Sequence, residues 1–152
     1  MYLPKKIVLT SGYGVSDTEL NSFDNALINA GINDFNLVKV SSIAPKEFSF
    51  ADSNFLKNLK RGTVLHCILA RYTTKLEENI ASAICLLKTN DIGLITEYSG
   101  ACTEKYAREM VLKMAETMCS QRSLKKEEVY FTSIEYKAKK QFSTVISACI
   151  LV

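Results

Sequence analysis

Two adjacent hydroxyl residues, Ser41 and Ser42, end the segment Leu37-Val38-Lys39-Val40 and are followed closely by Pro45. Proline lacks a backbone donor and holds the residue before it extended, so strand pairing must stop here. A serine at a tightly turned strand end can be pressed against the carbonyl of its neighbour. Attack of the Ser42 hydroxyl on the Ser41 carbonyl would turn an amide into an ester, and backbone strain of that sort is stored at functional sites. By itself, a Ser-Ser pair ahead of a proline is a plain turn. Other chemistry has less to build on. The single histidine, His66, lies in the apolar run Val64 to Ala70, which reads as a packed core histidine. The five cysteines are odd in number and none are spaced as Cys-x-x-Cys, so they read as small buried hydrophobes of a reducing compartment, with no metal site. Gly12-Tyr13-Gly14 lacks the third glycine of a dinucleotide fingerprint, since position 17 is Asp17, and reads as a turn.

The elements around these residues follow from periodicity. Residues 5–11 read as a strand. Ser16-Asp17-Thr18-Glu19 has the form of a capping box. Behind it Leu20, Phe23, Leu27 and Ala30 recur at helical spacing up to Gly31, so a helix is predicted over 17–30. Strands are predicted at 35–40, 63–73, 79–87 and 92–98, with an irregular excursion over 46–62. Thr103 opens a second helix over about 103–122. Its stripe Tyr106, Met110, Met114 and Met118 reads as core packing. Strands at 128–137 and 142–151 close the chain. Many strands, short connections and two main helices give an α+β sandwich of mostly antiparallel strands. Either two sheets face each other, or a subunit interface covers the sheet surface that two helices leave bare.

Composition sets the remaining bounds. The chain has 152 residues, 47% hydrophobic and 23% charged, which suits one folded domain and excludes a disordered chain. No apolar run approaches the ~20 residues of a membrane span, and the run after the basic N-terminus is too short for a signal peptide, so a cytoplasmic protein is expected. The net charge of +3 is mild, and the clusters Lys125-Lys126 and Lys137 to Lys140 read as solvated turns, so no nucleic-acid partner is expected.

Three blocks together resemble the pyruvoyl-dependent arginine decarboxylases. Phe23-Asp24-x-Ala26-Leu27-x-Asn29-Ala30-Gly31-Ile32 is similar to that family's first helix and its exit. Asn36-Leu37-x-x-x-Ser41-Ser42-Ile43-x-Pro45-x-Glu47 is similar to its self-cleavage site. Gly93-Leu94-Ile95-x-Glu97-Tyr98-x-Gly100-x-Cys102 is similar to its catalytic strand and the loop opening the second helix. Their order and spacing agree, and they span most of the chain. The resemblance implies an αββα-type sandwich that cuts itself between Ser41 and Ser42. The products would be a β chain, 1–41, and an α chain, 42–152, with a pyruvoyl group made from Ser42 on the new N-terminus. That ketone would form a Schiff base with the substrate α-amine and accept the electrons freed as carbon dioxide leaves.

The resemblance also implies residue roles. Glu97 would reprotonate the α-carbon, and burial in the apolar strand Ile92 to Tyr98 would raise its pKa and keep the proton on it. Asp24 would meet the substrate guanidinium. Leu27 and Asn36 would line the pocket, and Ser41 would lie beside the cofactor as a new C-terminus. The family assembles as trimers with active sites between neighbouring subunits. The expected reaction is therefore arginine to agmatine and carbon dioxide. Two alternatives stand beside it: the same chemistry on another amino acid, and an uncleaved oligomer that binds a small cationic ligand.

Overall fold

The computed structural model describes all 152 residues. In chain order the elements are β1 (Lys6–Ser16), α1 (Glu19–Ala30), β2 (Asn36–Lys39), β3 (Ile43–Ala44), β4 (Ser49–Phe50), α2 (Ser53–Lys57), β5 (Val64–Thr74), β6 (Asn79–Thr89), β7 (Gly93–Gly100), α3 (Glu104–Gln121), β8 (Lys126–Lys137) and β9 (Phe142–Leu151). They form a five-stranded sheet in the order β2-β5-β9-β1-β4 and a four-stranded sheet in the order β3-β7-β6-β8. Only the β1–β4 and β2–β5 pairs are parallel. No helix is long and apolar enough to cross a membrane.

Three packed interiors define four layers. Ala26, Leu27 and Ala30 of α1 pack on Val8, Leu65, Cys67 and Ile150 of the first sheet. Ala107, Val111, Ala115 and Cys119 of α3 pack on Ala83, Cys85 and Leu94 of the second. Between the sheets, Ile7, Ile68 and Cys149 meet Ile84, Leu86 and Ile95. The fold is thus an α+β sandwich in αββα order. Strand β9 is covered on both faces, which is why Phe142 to Leu151 is nearly continuous in apolar and small residues. Hydroxyls fasten the sheets where hydrocarbon gives out: Ser147 bonds Ser11 at 2.7 Å and Ser82 at 2.8 Å, and Ser11 bonds Thr132 at 2.7 Å. Each buried hydroxyl keeps a partner, so none carries a desolvation penalty.

Several expectations are corrected. Gly12 and Gly14 are not a turn but the middle of β1, which runs to Ser16 and pairs β9 from Ile7 to Ser16. Their value is the missing side chain: a Cβ on Gly14 would lie 2.2 Å from the Ser22 carbonyl oxygen, so glycine lets α1 lie directly on the strand. Because β1 continues to Ser16, the cap moves to Thr18, whose hydroxyl accepts from the Asn21 amide at 3.1 Å. Leu20 is exposed, and Ser22 takes the inward place beside Thr144. The excursion over 46–62 contains β4, which extends the first sheet beside β1, and α2, capped by Asp52. Leu56 of α2 is fully buried.

Candidate active site

The chain changes sheets between β2 and β3. Strand β2 is the edge of the first sheet, and its partner β5 still holds the Val40 amide through the Cys67 carbonyl at 2.9 Å. Strand β3 is the edge of the second sheet, with Ile43 opposite Leu94 and Ala44 opposite Gly93. Ser41 and Ser42 therefore span the open end of the sandwich. The Ile95 amide donates to the Ser42 carbonyl at 2.8 Å, while the Ser42 hydroxyl takes part in no intramolecular hydrogen bond. Neither serine has a positive φ; the only non-glycine residue that does is Ser123. The strained linkage expected here is not found in the left-handed region. What distinguishes it is its position between two sheets, each anchoring one side.

Ser42 borders two hollows. The larger, of about 490 Å3, holds Ser42, Thr96 and Glu97 on one side and Met110, Met114 and Met118 of α3 on the other. Lys113 and Thr117 complete its rim. Thr96 ties this strand to the helix by donating to the Val111 carbonyl at 2.6 Å. The smaller hollow, of about 280 Å3, includes Ser41, Ser42 and His66.

Glu97 pairs with Ile84 across β6 and β7. Strand β7 is buried from Gly93 to Thr96, but Glu97 itself is exposed in the protomer, so the full burial expected of it is not observed. The direction of its pKa is nevertheless upward. Partial desolvation of the carboxyl is the larger cause, and the nearby Lys39 ammonium opposes it. The cysteines are unsuited to nucleophilic work: burial pushes the Cys85 and Cys149 thiols up to about 12.

The structure brings Ser41, Ser42 and Glu97 to one end of the sandwich, and leaves Asp24, Leu27 and Asn36 outside both hollows. Asp24 is exposed on α1, Leu27 faces the sheet in the core, and exposed Asn36 donates from its side chain to the Gly62 carbonyl at 3.0 Å. Two groups of pocket residues escaped the sequence reading. Met114 and Met118 pack against the core as expected, beside the buried stripe Ala107, Val111, Ala115 and Cys119, but with Met110 they also border the hollow. A periodic pair of adjacent stripes, one small and one long, was the available signal. His66 was assigned to the core as well, but it is only half-buried, with its ring 5.5 Å from that of Tyr2.

A family model described as pyruvoyl-dependent arginine decarboxylase matches residues 6–152. A pyruvoyl-dependent arginine decarboxylase of Pyrococcus abyssi is 34% identical over 151 residues, covering 97% of this chain and 95% of the relative. One from Methanocaldococcus jannaschii is 32% identical, covering 91% and 84%. The protein named pyruvoyl-dependent arginine decarboxylase 2 of Archaeoglobus fulgidus is 34% identical, covering 99% and 98%. The residues present fit a pyruvoyl group at position 42. The serine that would supply it has an unengaged hydroxyl, an anchored carbonyl and a hollow beside it that Glu97 also borders. On these grounds the chain belongs to the pyruvoyl-dependent arginine decarboxylase family, carboxy-lyases whose pyruvoyl group is covalently part of the polypeptide.

Proposed function

We propose that this protein is a self-cleaving decarboxylase that converts L-arginine to agmatine and carbon dioxide. The observation that carries the reading is the shared hollow of Ser42 and Glu97 at the crossing between the sheets. Attack of the Ser42 hydroxyl on the Ser41 carbonyl yields an ester. Loss of the residue 42 α-proton then expels the Ser41 carboxylate, and water replaces the nitrogen to leave the keto group and ammonia. The 1–41 chain would stay in place, because ten residue pairs join β1 to β9 and β2 remains on β5. A pyruvoyl group at residue 42 would supply the electron sink for loss of carbon dioxide, held where Ser42 now borders the hollow. Glu97, whose carboxyl partial desolvation makes a weaker acid than usual, returns a proton to the α-carbon. Met110, Met114 and Met118 give that side of the hollow an apolar wall.

Asp24 supplies the carboxylate for the guanidinium, with Asn36 and Leu27 shaping that end of the pocket. Since exposed Asp24 and Asn36 lie outside the hollow of their own Ser42, a neighbouring protomer would contribute them, as in a trimer, with Leu27 packing beneath the helix that presents Asp24. Exposed Val38, Val40, Ile43 and Val64 flank the crossing and give such an assembly an apolar face to cover. Intact mass spectrometry tests the reading. Purified protein should contain two chains divided after Ser41, and borohydride with arginine should add mass to the larger chain only. A single 17.0 kDa species without carbonyl reactivity would instead support the uncleaved ligand-binding oligomer.

A further inference from the structure

The smaller hollow on the other flank of Ser42 has no part in the reaction so far. Its apolar wall is Pro4, Val40, Ile43 and Leu151, and its polar groups are Ser41, Ser42, Tyr2 and His66. The position of His66 follows from strand alternation. On β5, Leu65 and Cys67 point under α1, whereas Ile68 points between the sheets. His66 shares the side of Ile68, and its backbone pairs with Leu151 of the central strand β9. Its side chain therefore enters the hollow that Val40, Ser41 and Ser42 also line. Tyr2 covers it with a ring tilted by 37°. Among the side chains of this hollow, only the imidazole carries a basic nitrogen that can take a proton from one atom and pass it to another.

We infer that His66 is the proton carrier of self-cleavage. Its imidazole takes the proton of the Ser42 hydroxyl as Oγ bonds to the Ser41 carbonyl carbon. It returns that proton to the amide nitrogen of residue 42 as the carbon–nitrogen bond breaks. The step is an isomerisation. One C–N bond is exchanged for one C–O bond, one proton passes from oxygen to nitrogen, and no oxidant or further reactant is needed. Ser42 then has a proton-transferring side chain on each flank, His66 for its own conversion and Glu97 for turnover. The inference rests on the proposed self-cleavage.

The test follows freshly synthesised full-length chain as it splits, by mass, with and without added imidazole. Wild-type chain should divide after Ser41. His66→Ala should divide about a hundredfold more slowly or worse, and free imidazole should restore part of the rate by entering the space left behind. His66→Gln, which fills that space, should be slow and unrescued. Cleavage of His66→Ala at the wild-type rate overturns the inference while leaving the proposed function intact. A folded His66→Ala that is slow but insensitive to imidazole also overturns it, since the ring would then only be packing. If His66→Ala does not fold, His66→Gln decides: a wild-type rate of division there sinks the inference. Wild-type chain that never divides removes the proposed function itself.

Discussion

Helix α1 rests on β1 with no space for a side chain at Gly14. A Cβ built there would stand 2.2 Å from the Ser22 carbonyl oxygen and 2.3 Å from the Ala26 amide nitrogen. Both are backbone atoms, so no rotamer change relieves the overlap. The helix must withdraw by about 1 Å to restore ordinary contact in a close-packed interior. Withdrawal stretches the buried Ser22–Thr144 hydroxyl bond, now 2.8 Å, and loosens Ala26 and Leu27 from the first sheet. Forcing the extra methyl in costs about 1–3 kcal/mol, and losing the buried hydrogen bond adds about 1–3 kcal/mol. Alanine's smaller unfolded-state entropy returns about 0.4–1 kcal/mol. Gly14→Ala should therefore be destabilised by about 1–6 kcal/mol, a fall in Tm of about 3–18 °C at about 3 °C per kcal/mol for a chain of this size. Thermal unfolding followed by circular dichroism, at matched protein concentration, measures it. Gly100→Ala is the control, because its Cβ would meet nothing closer than 3.8 Å. Equal melting temperatures for the two variants would refute the close approach of α1 to β1.

Other predictions concern the chemistry. Ser42→Ala should fold and remain one chain without activity, as read by intact mass and carbon dioxide release. Glu97→Gln should still divide but lose about 10²–10⁴-fold in kcat; near-normal turnover would remove Glu97 as the proton donor. The working form of Glu97 is the protonated one and its pKa is raised, so activity should persist above the usual carboxylate range and fall as pH rises through that raised value. Lys39 holds the pKa down, so Lys39→Gln should move the falling limb of the pH–rate profile to higher pH, and a shift to lower pH would contradict the pairing. Asp24→Asn should raise KM for arginine much more than it changes division of the chain; unchanged KM would reassign the guanidinium contact.

The local events of this fold were legible along the chain because each depends on a few neighbouring residues. Gly31 stops α1 in a left-handed conformation at φ 76°, Thr103 caps α3, and Pro45 lies where β3 ends after two residues. The sandwich order and the family blocks could be read for the same reason. The Gly12-Tyr13-Gly14 segment is a strand and not a turn because its meaning lies in the packing of a helix that begins at Glu19, five residues after Gly14. His66 is half-buried and not in the core, because an apolar neighbourhood in sequence does not say on which side of a layer a side chain will sit. Residue types alone determined that a hydroxyl pair, a carboxyl and an anion for a cationic ligand were present. Only the packed structure decided that Ser42 and Glu97, 55 positions apart in the sequence, would border one hollow with three methionines while His66 borders another. Strand register and sheet pairing set that juxtaposition, and those are properties of contacts between distant segments.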